Sequence, residues 1–253
     1  MIAKDKNDIE TLRIAGRALG EVLKELSRVI TPGMTTAELD VIAEREIEKR
    51  GGKSTFLGYR PDGAPLPYPS VLCISINDEV VHGIPNQNVV IKEGDLVSID
   101  LGLSINGYFV DSAVTVCVGK CDENGLRLAM ATREALGAAI AQATVGNHIG
   151  DIGAAVERIA NKYSFAVVED LGGHAVGRAV HEKPFIPNYG PEGEGEEIVE
   201  GMVLAIEPML TEGKGAIALD ADEWTYRTKD GSRAAHFEHT ILVTKNGPEI
   251  LTQ

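Results

Sequence analysis

Two pairs of carboxylates occupy matching places in this 253-residue chain. IKEGDLVSID (Ile91 to Asp100) aligns with IVEGMVLAIE (Ile198 to Glu207), and in each a glycine turn leads into an apolar run that ends in an acid. VDSAVTV (Val110 to Val116) aligns with FEHTILV (Phe237 to Val243), which sets Asp111 against Glu238. For any one pair, a polar strand end is the simpler reading. An acid closing an apolar run such as LVSID or MVLAIE, however, loses its hydration and needs a counter-charge, and here the feature recurs in register. If the halves pack about a pseudo-two-fold axis, the four acids converge. Two divalent cations would neutralise them. Hard oxygen donors with one imidazole suit Mn, Fe, Co or Zn, and paired metals of this kind activate water and polarise a carbonyl, so hydrolysis is the expected reaction.

The candidate imidazoles lie in DEVVHGIP (His82) and GGHAVGRAVHEKP (His174, His181), both with glycines that admit close backbone approach. A lone histidine is usually a packed or exposed residue. His174 and His181 are seven residues apart, and on an extended segment that spacing sends them to opposite sides, which predicts different roles. VHGIP around His82 and VHEKP around His181 share V-H-x-x-P and read as repeat equivalents. His148, His236 and His239 read as ordinary structural histidines. The chain carries no HExxH spacing, G-x-S-x-G elbow or P-loop, and GPEGEGEE reads as an acidic solvated loop.

The elements that must position these groups repeat as well. LRIAGRA from Leu12 matches LRLAMAT from Leu126, and each opens a segment with helical apolar spacing: Leu12, Ala15, Leu19, Val22, Leu23 and Leu26, then Leu126, Ala129, Leu136 and Ile140. TPGMTTAELDVIAEREIEK from Thr31 matches TVGNHIGDIGAAVERIANK from Thr144, each a glycine turn, a polar residue near a helix start and a second helix. The chain therefore reads as one catalytic domain, 1–253, made of halves 1–120 and 121–253. A chain of this length can bury a large core without disulfides. Three cysteines, Cys73, Cys117 and Cys121, fit free thiols in a reducing compartment better than a disulfide framework. The first residues lack a signal-peptide pattern and no apolar run approaches a membrane span, so a cytoplasmic location is expected. A net charge of −14 disfavours a nucleic-acid-coating surface.

INDEVVHGIP, SIDLGLSINGYFVDSA, GHAVGRAVHE, AIEPM and FEHT, in this order over nearly the whole chain, resemble the type I methionine aminopeptidases. The resemblance implies the α+β pita-bread fold: two αβ halves related by a pseudo-two-fold axis, with a curved antiparallel sheet covered by helices. It implies Asp100, Asp111, His174, Glu207 and Glu238 as ligands of two divalent ions (Co, Mn, Fe, Zn or Ni), with Asp111 and Glu238 bridging. Glu207 would also shuttle a proton between the attacking water and the leaving amine. His82 and His181 would bind substrate and stabilise the tetrahedral intermediate, and Tyr59, Tyr68, Cys73 and Trp224 would line a pocket for the methionine side chain. The implied activity is removal of the initiator methionine from nascent polypeptides with a small second residue. Those N-termini, met near the ribosome exit, are the expected partners of a monomer with no membrane or specific nucleic-acid partner. Three departures stand out: Ala175 replaces a glycine in GHAVG, Val180 stands where an aromatic wall is common, and RPDGAPLP lengthens the segment between Tyr59 and Tyr68. A prolidase or aminopeptidase P specificity, and a non-catalytic binding protein of the same fold, are the alternatives.

Overall fold

A computed structural model describes residues 1–3, 5–61 and 63–253. The first half contributes helices α1 (Lys6–Val29) and α2 (Thr36–Lys49), then strands β1 (Lys53–Ser54), β2 (Cys73–Ile76), β3 (Glu79–Val81), β4 (Leu96–Ile105) and β5 (Tyr108–Cys117). Helices α3 (Glu123–Gln142) and α4 (Ile149–Tyr163) open the second, followed by β6 (Ala166–Val167), β7 (Gly172–Ala175), β8 (Glu182–Pro187), β9 (Val203–Ile206) and β10 (Met209–Thr211). The chain ends with β11 (Ile217–Leu219), β12 (Tyr226–Thr228), β13 (Ala234–His236), β14 (His239–Thr244) and β15 (Gly247–Ile250).

Helix α1 buries the face its spacing predicts: Leu12, Ala15, Leu19, Val22, Leu23 and Leu26 pack onto β4 and β5, and each fully buried leucine contributes about 2 kcal/mol of apolar transfer. Helix α2 starts at a capping box in which the Thr35 hydroxyl accepts from Glu38 N while the Glu38 carboxylate accepts from Thr35 N. In α3 the expected face holds at Leu136 and Ile140, which are buried, and fails at the start of the helix. Leu126 is 52% exposed, and the buried stripe runs through Leu128, Ala131, Thr132, Ala135, Leu136, Ala139 and Ile140. The reason is steric: α3 lies close against α4, and the alanine-rich face is the one that permits that approach.

All the strand pairs are antiparallel. β4 pairs with β5 along its whole length and with both β2 and β1, which meet successive parts of it, while β15, β14, β9, β7 and β8 form the principal sheet of the second half. Shorter sheets join β13, β10 and β6, and β11, β12 and β3. One core lies beneath α1 and α2 and a second beneath α3 and α4. The reading of Cys117 and Cys121 as free thiols is corrected: they form a disulfide across the turn after β5, because Val118–Lys120 brings their Cα atoms to 5.9 Å, within bridging range. Cys73 is free and buried. Among the described residues no helix is long and apolar enough to cross a membrane.

Candidate metal centre

The four acids arrive on two hairpin-like ribbons. In the first, β4 and β5 run side by side without interruption; Asp100 pairs with Ala113 and Asp111 with Gly102, so the acids are diagonal neighbours on one face. In the second, Glu207 and Glu238 stand in two-residue gaps, between β9 and β10 and between β13 and β14. Register is kept across the gap, since Ile206 pairs with His239 on one side and Met209 with His236 on the other, so the glutamates face each other. Pro208 at the gap has no N–H to donate, which suits an interrupted ladder.

The ribbons meet at the acids. Glu238 N donates to Ala113 O at 2.9 Å, and Ala113 N donates to Glu238 O at 3.3 Å. On one side of this rung the Thr240 hydroxyl donates to Asp111 O (2.7 Å) and accepts from Asp111 N (2.9 Å). On the other the Thr115 hydroxyl does the same for His236 O (2.8 Å) and His236 N (2.9 Å). The convergence that the repeat predicts is thus a hydrogen-bonded seam.

His174, near the end of β7, completes the cluster. Ligand atoms of Asp111, His174 and Glu238 all lie within 4.8 Å of one another, and His174 Nε2 is 3.5 Å from Glu207 Oε1. His174 Nδ1 donates to the Ala175 carbonyl at 3.1 Å, which fixes the tautomer and leaves the Nε2 lone pair facing the acids. Burial, above all, raises all four acids: Asp111 and Glu207 to about 8, Asp100 and Glu238 well above the usual carboxylate range, with mutual repulsion adding to Asp100, Asp111 and Glu238. Burial holds His174 down to about 3, in the neutral form that a ligand needs. Asp100 Oδ1 and Glu238 Oε1 are buried with no hydrogen-bond partner among the described residues. Orphaned carboxylate oxygens cost several kcal/mol unless a cation takes them up. The donor set therefore fits divalent cations.

A cavity of about 310 Å³ opens from these acids, with Phe56, Tyr68, Cys73 and Trp224 in its apolar wall. Tyr68 and Trp224 meet edge to face at 5.2 Å, and Trp224 also packs on the His82 ring. His82 sits at φ 59°, a strained conformation for a non-glycine residue, and the turn around it is pinned by the Tyr68 hydroxyl, which donates to Gly83 O at 2.9 Å. Gly83 is obligatory there, since a Cβ would meet Ile74 O at 2.1 Å. Gly173 is equally constrained, with Ala205 O at 2.3 Å from its would-be Cβ.

His181 contradicts the expectation that it would point away from His174. Their rings are 4.4 Å apart in a T-shaped contact. The intervening segment is not extended: β7 ends at Ala175, the chain reverses through Gly177, and β8 pairs back with a bulge, Ala175 opposite Glu182. The α-amino group of Met1 holds this turn, ion-paired to Glu182 at 2.8 Å and donating to Val176 O at 3.0 Å.

The three departures are accommodated. Ala175 is buried with its methyl group in the second core, on the strand face opposite His174. Val180 is buried in the apolar cluster that backs the cavity, together with Phe56, a lining residue that the sequence reading missed. The RPDGAPLP segment leaves and returns through a pinched base, Gly58 N donating to Tyr68 O and Tyr68 N to Tyr59 O, both at 2.8 Å, so both tyrosines line the cavity; Asp62 within it lies outside the described residues. Tyr59 OH is 2.6 Å from His181 Nδ1.

His236, read as an ordinary histidine, is 1% exposed and places Nε2 3.3 Å from Glu207 Oε2. The available signal was its position two residues before Glu238, the strand spacing that puts side chains on one face. His148 begins α4, its N–H donating to Asp151, and His239 turns its ring toward the Thr252 hydroxyl at 2.9 Å, as structural residues do.

The model of metallopeptidase family M24 matches residues 10–245. A methionine aminopeptidase of Aquifex aeolicus is 49% identical over 250 residues, covering 98% of this chain and 97% of that protein. The crystal structure of a methionine aminopeptidase from Thermotoga maritima superposes with a TM-score of 0.95 at 44% identity, with both chains fully covered. A prolidase from Pyrococcus furiosus reaches a TM-score of 0.76 at 25% identity and is matched over 65% of its length. The fold is the pita-bread fold expected from the motifs, and by its motifs, its buried acid cluster and these likenesses the chain belongs to metallopeptidase family M24.

Proposed function

We propose that the chain is a type I methionine aminopeptidase that removes the N-terminal methionine from nascent polypeptides whose second residue is small. The observation that carries this reading is the junction of two unlike surfaces: a buried Asp/His/Glu cluster with orphaned carboxylate oxygens, and an apolar wall of Phe56, Tyr68, Cys73 and Trp224 lining the same cavity. Residues 1–253 act as one catalytic domain built from two halves. Asp100, Asp111, His174, Glu207 and Glu238 would hold two divalent ions from the set Co, Mn, Fe, Zn and Ni. When bound, such ions lower the pKa of water and polarise the scissile carbonyl.

The chain's own groups do the rest. Glu207, whose oxygens reach toward both His174 and His236, takes the proton of the attacking water and returns it to the leaving amine. His82 and His181, beside the acids at the cavity, donate hydrogen bonds where negative charge develops on the carbonyl oxygen. Phe56, Tyr59, Tyr68, Cys73 and Trp224 take the methionine side chain and exclude water from it. The enzyme works as a cytoplasmic monomer on chains emerging from the ribosome.

Metal-loaded protein offered Met-Ala-Ser and an X-Pro peptide tests the reading. Release of methionine from the first alone is expected. Cleavage of the X-Pro peptide alone would replace it with prolidase specificity, and no metal binding with no turnover would replace it with a binding protein.

A further inference from the structure

The two oxygens of Glu207 have different neighbours. Oε1 faces His174 Nε2 at 3.5 Å, on the side of the acid cluster, and Oε2 faces His236 Nε2 at 3.3 Å. His236 has 1% exposure, and neither ring nitrogen has a hydrogen-bond partner among the described residues. Its backbone is tied on both sides: the Thr115 hydroxyl binds both its N–H and its carbonyl, and β13 pairs it with Met209, two residues beyond Glu207. Among the described residues, the carboxylate that faces this buried ring is Glu207.

We propose that His236 is a positioning residue for Glu207: its Nε2–H donates to Oε2, so that Oε1 is the oxygen turned toward His174 and the metals. This rests on the reading above and adds a division of labour within it. In its two-residue strand gap Glu207 has its backbone carbonyl held by the Asn188 side-chain amide at 3.0 Å, but its side chain still has three torsions to fix. A hydrogen bond from outside the ligand set fixes them and raises the discrimination between the two oxygens, one to ligate and one to stay within reach of the moving proton. Partners of this sort, one bond removed from a metal, typically change affinity or activity by 10–100-fold when removed.

The test compares full-length wild type with H236L, H236Q and H236N. A glutamine amide nitrogen reaches the place of Nε2, an asparagine amide nitrogen only that of Nδ1, and leucine fills the volume with no donor. Each protein is titrated with Co(II) alone, followed by its visible absorption, and then assayed for kcat and KM on Met-Ala-Ser. H236L and H236N are expected to lose about 10–100-fold in kcat with KM little changed, to bind Co(II) more weakly and to show an altered visible band. H236Q is expected to restore both the band and most of the activity. Wild-type kcat and spectrum in H236L would overturn the proposal. If H236L does not fold, the amide pair decides alone: equal behaviour of H236Q and H236N overturns it. A wild type that neither binds Co(II) nor cleaves the peptide would instead overturn the proposed function, so the two failures are distinguishable.

Discussion

The two acid-bearing ribbons solve the same problem differently. β4 and β5 pair over ten residues each, and their aspartates project from a complete ladder. The second ribbon is broken at both glutamates, with Pro208 in one gap and Phe237 in the other, yet it keeps its register across the break. Aspartate has one torsion fewer than glutamate, so the continuous ladder places a short ligand with little side-chain freedom. The broken ribbon trades backbone hydrogen bonds for reach, and it recovers rigidity from the other half: Ala113 supplies the rung to Glu238, and Thr115 clamps the strand beside Glu207. Precision on one side and reach on the other make an asymmetric centre from a duplicated sequence.

The largest effect is expected on the side that reaches. Glu207→Gln keeps the shape of the side chain and removes its basicity, so kcat for a methionyl peptide should fall by about 10²–10⁴-fold with the far-ultraviolet circular dichroism unchanged. An equally damaging Asp100→Asn with a mild Glu207→Gln would reverse the assignment of proton transfer to the broken ribbon.

Next comes the charge stored in the continuous ribbon. In the metal-free protein Asp111 is raised to about 8 by burial, while the unfolded chain titrates near 4. The native state therefore binds more protons between these values, and stability falls as pH rises through that window. Asp111→Asn should flatten this slope and raise the metal-free Tm at pH 8 by roughly 5 °C, while abolishing the Tm increase that Mn(II) or Co(II) gives wild type. Calorimetry across pH 5–9 with and without metal checks both signs.

The seam itself is tested by Thr240→Val. It leaves Asp111 N and O without their partner in a buried place and should cost about 1–3 kcal/mol, read as a lowered denaturant midpoint at unchanged slope. Thr115→Val should cost a similar amount but act on Glu207 through His236, so unequal effects on kcat at equal loss of stability would sharpen the contrast between the halves.

The smallest effect belongs to the support of the first half. Asp40 on α2 accepts from Val71 N (3.1 Å) and Leu72 N (3.0 Å), beside the start of β2, and burial raises it to about 6. Its folded value exceeds the unfolded one, so stability declines between pH 4 and 6 and levels off above. Asp40→Asn keeps the accepting oxygen and removes the charge. At pH 7 it should stabilise by about 1 kcal/mol, the full shift being reduced by partial solvent screening; an unchanged pH profile of Tm would show that the charge is not penalised there.

Much of this centre could be read before folding. An acid at the end of LVSID or MVLAIE announces itself because desolvation makes an unpaired carboxylate there untenable, and the repeat doubles the signal. The faces of α1 and the cap of α2 follow from local periodicity and local hydrogen bonding, which depend on residues a few places apart. What stayed hidden depends on residues far apart in sequence or on chain reversals. The face that α3 buries was chosen by its close approach to α4, the His181 ring met His174 because the chain turns back after β7, and Cys117 met Cys121 because the turn after β5 closes. His236 is the sharpest instance. Its two-residue spacing from Glu238 gives its face but not its partner: its ring lies against the Glu207 carboxylate and that of His239 against Thr252, because strand pairing sets which partner lies opposite and hydrophobic patterning does not.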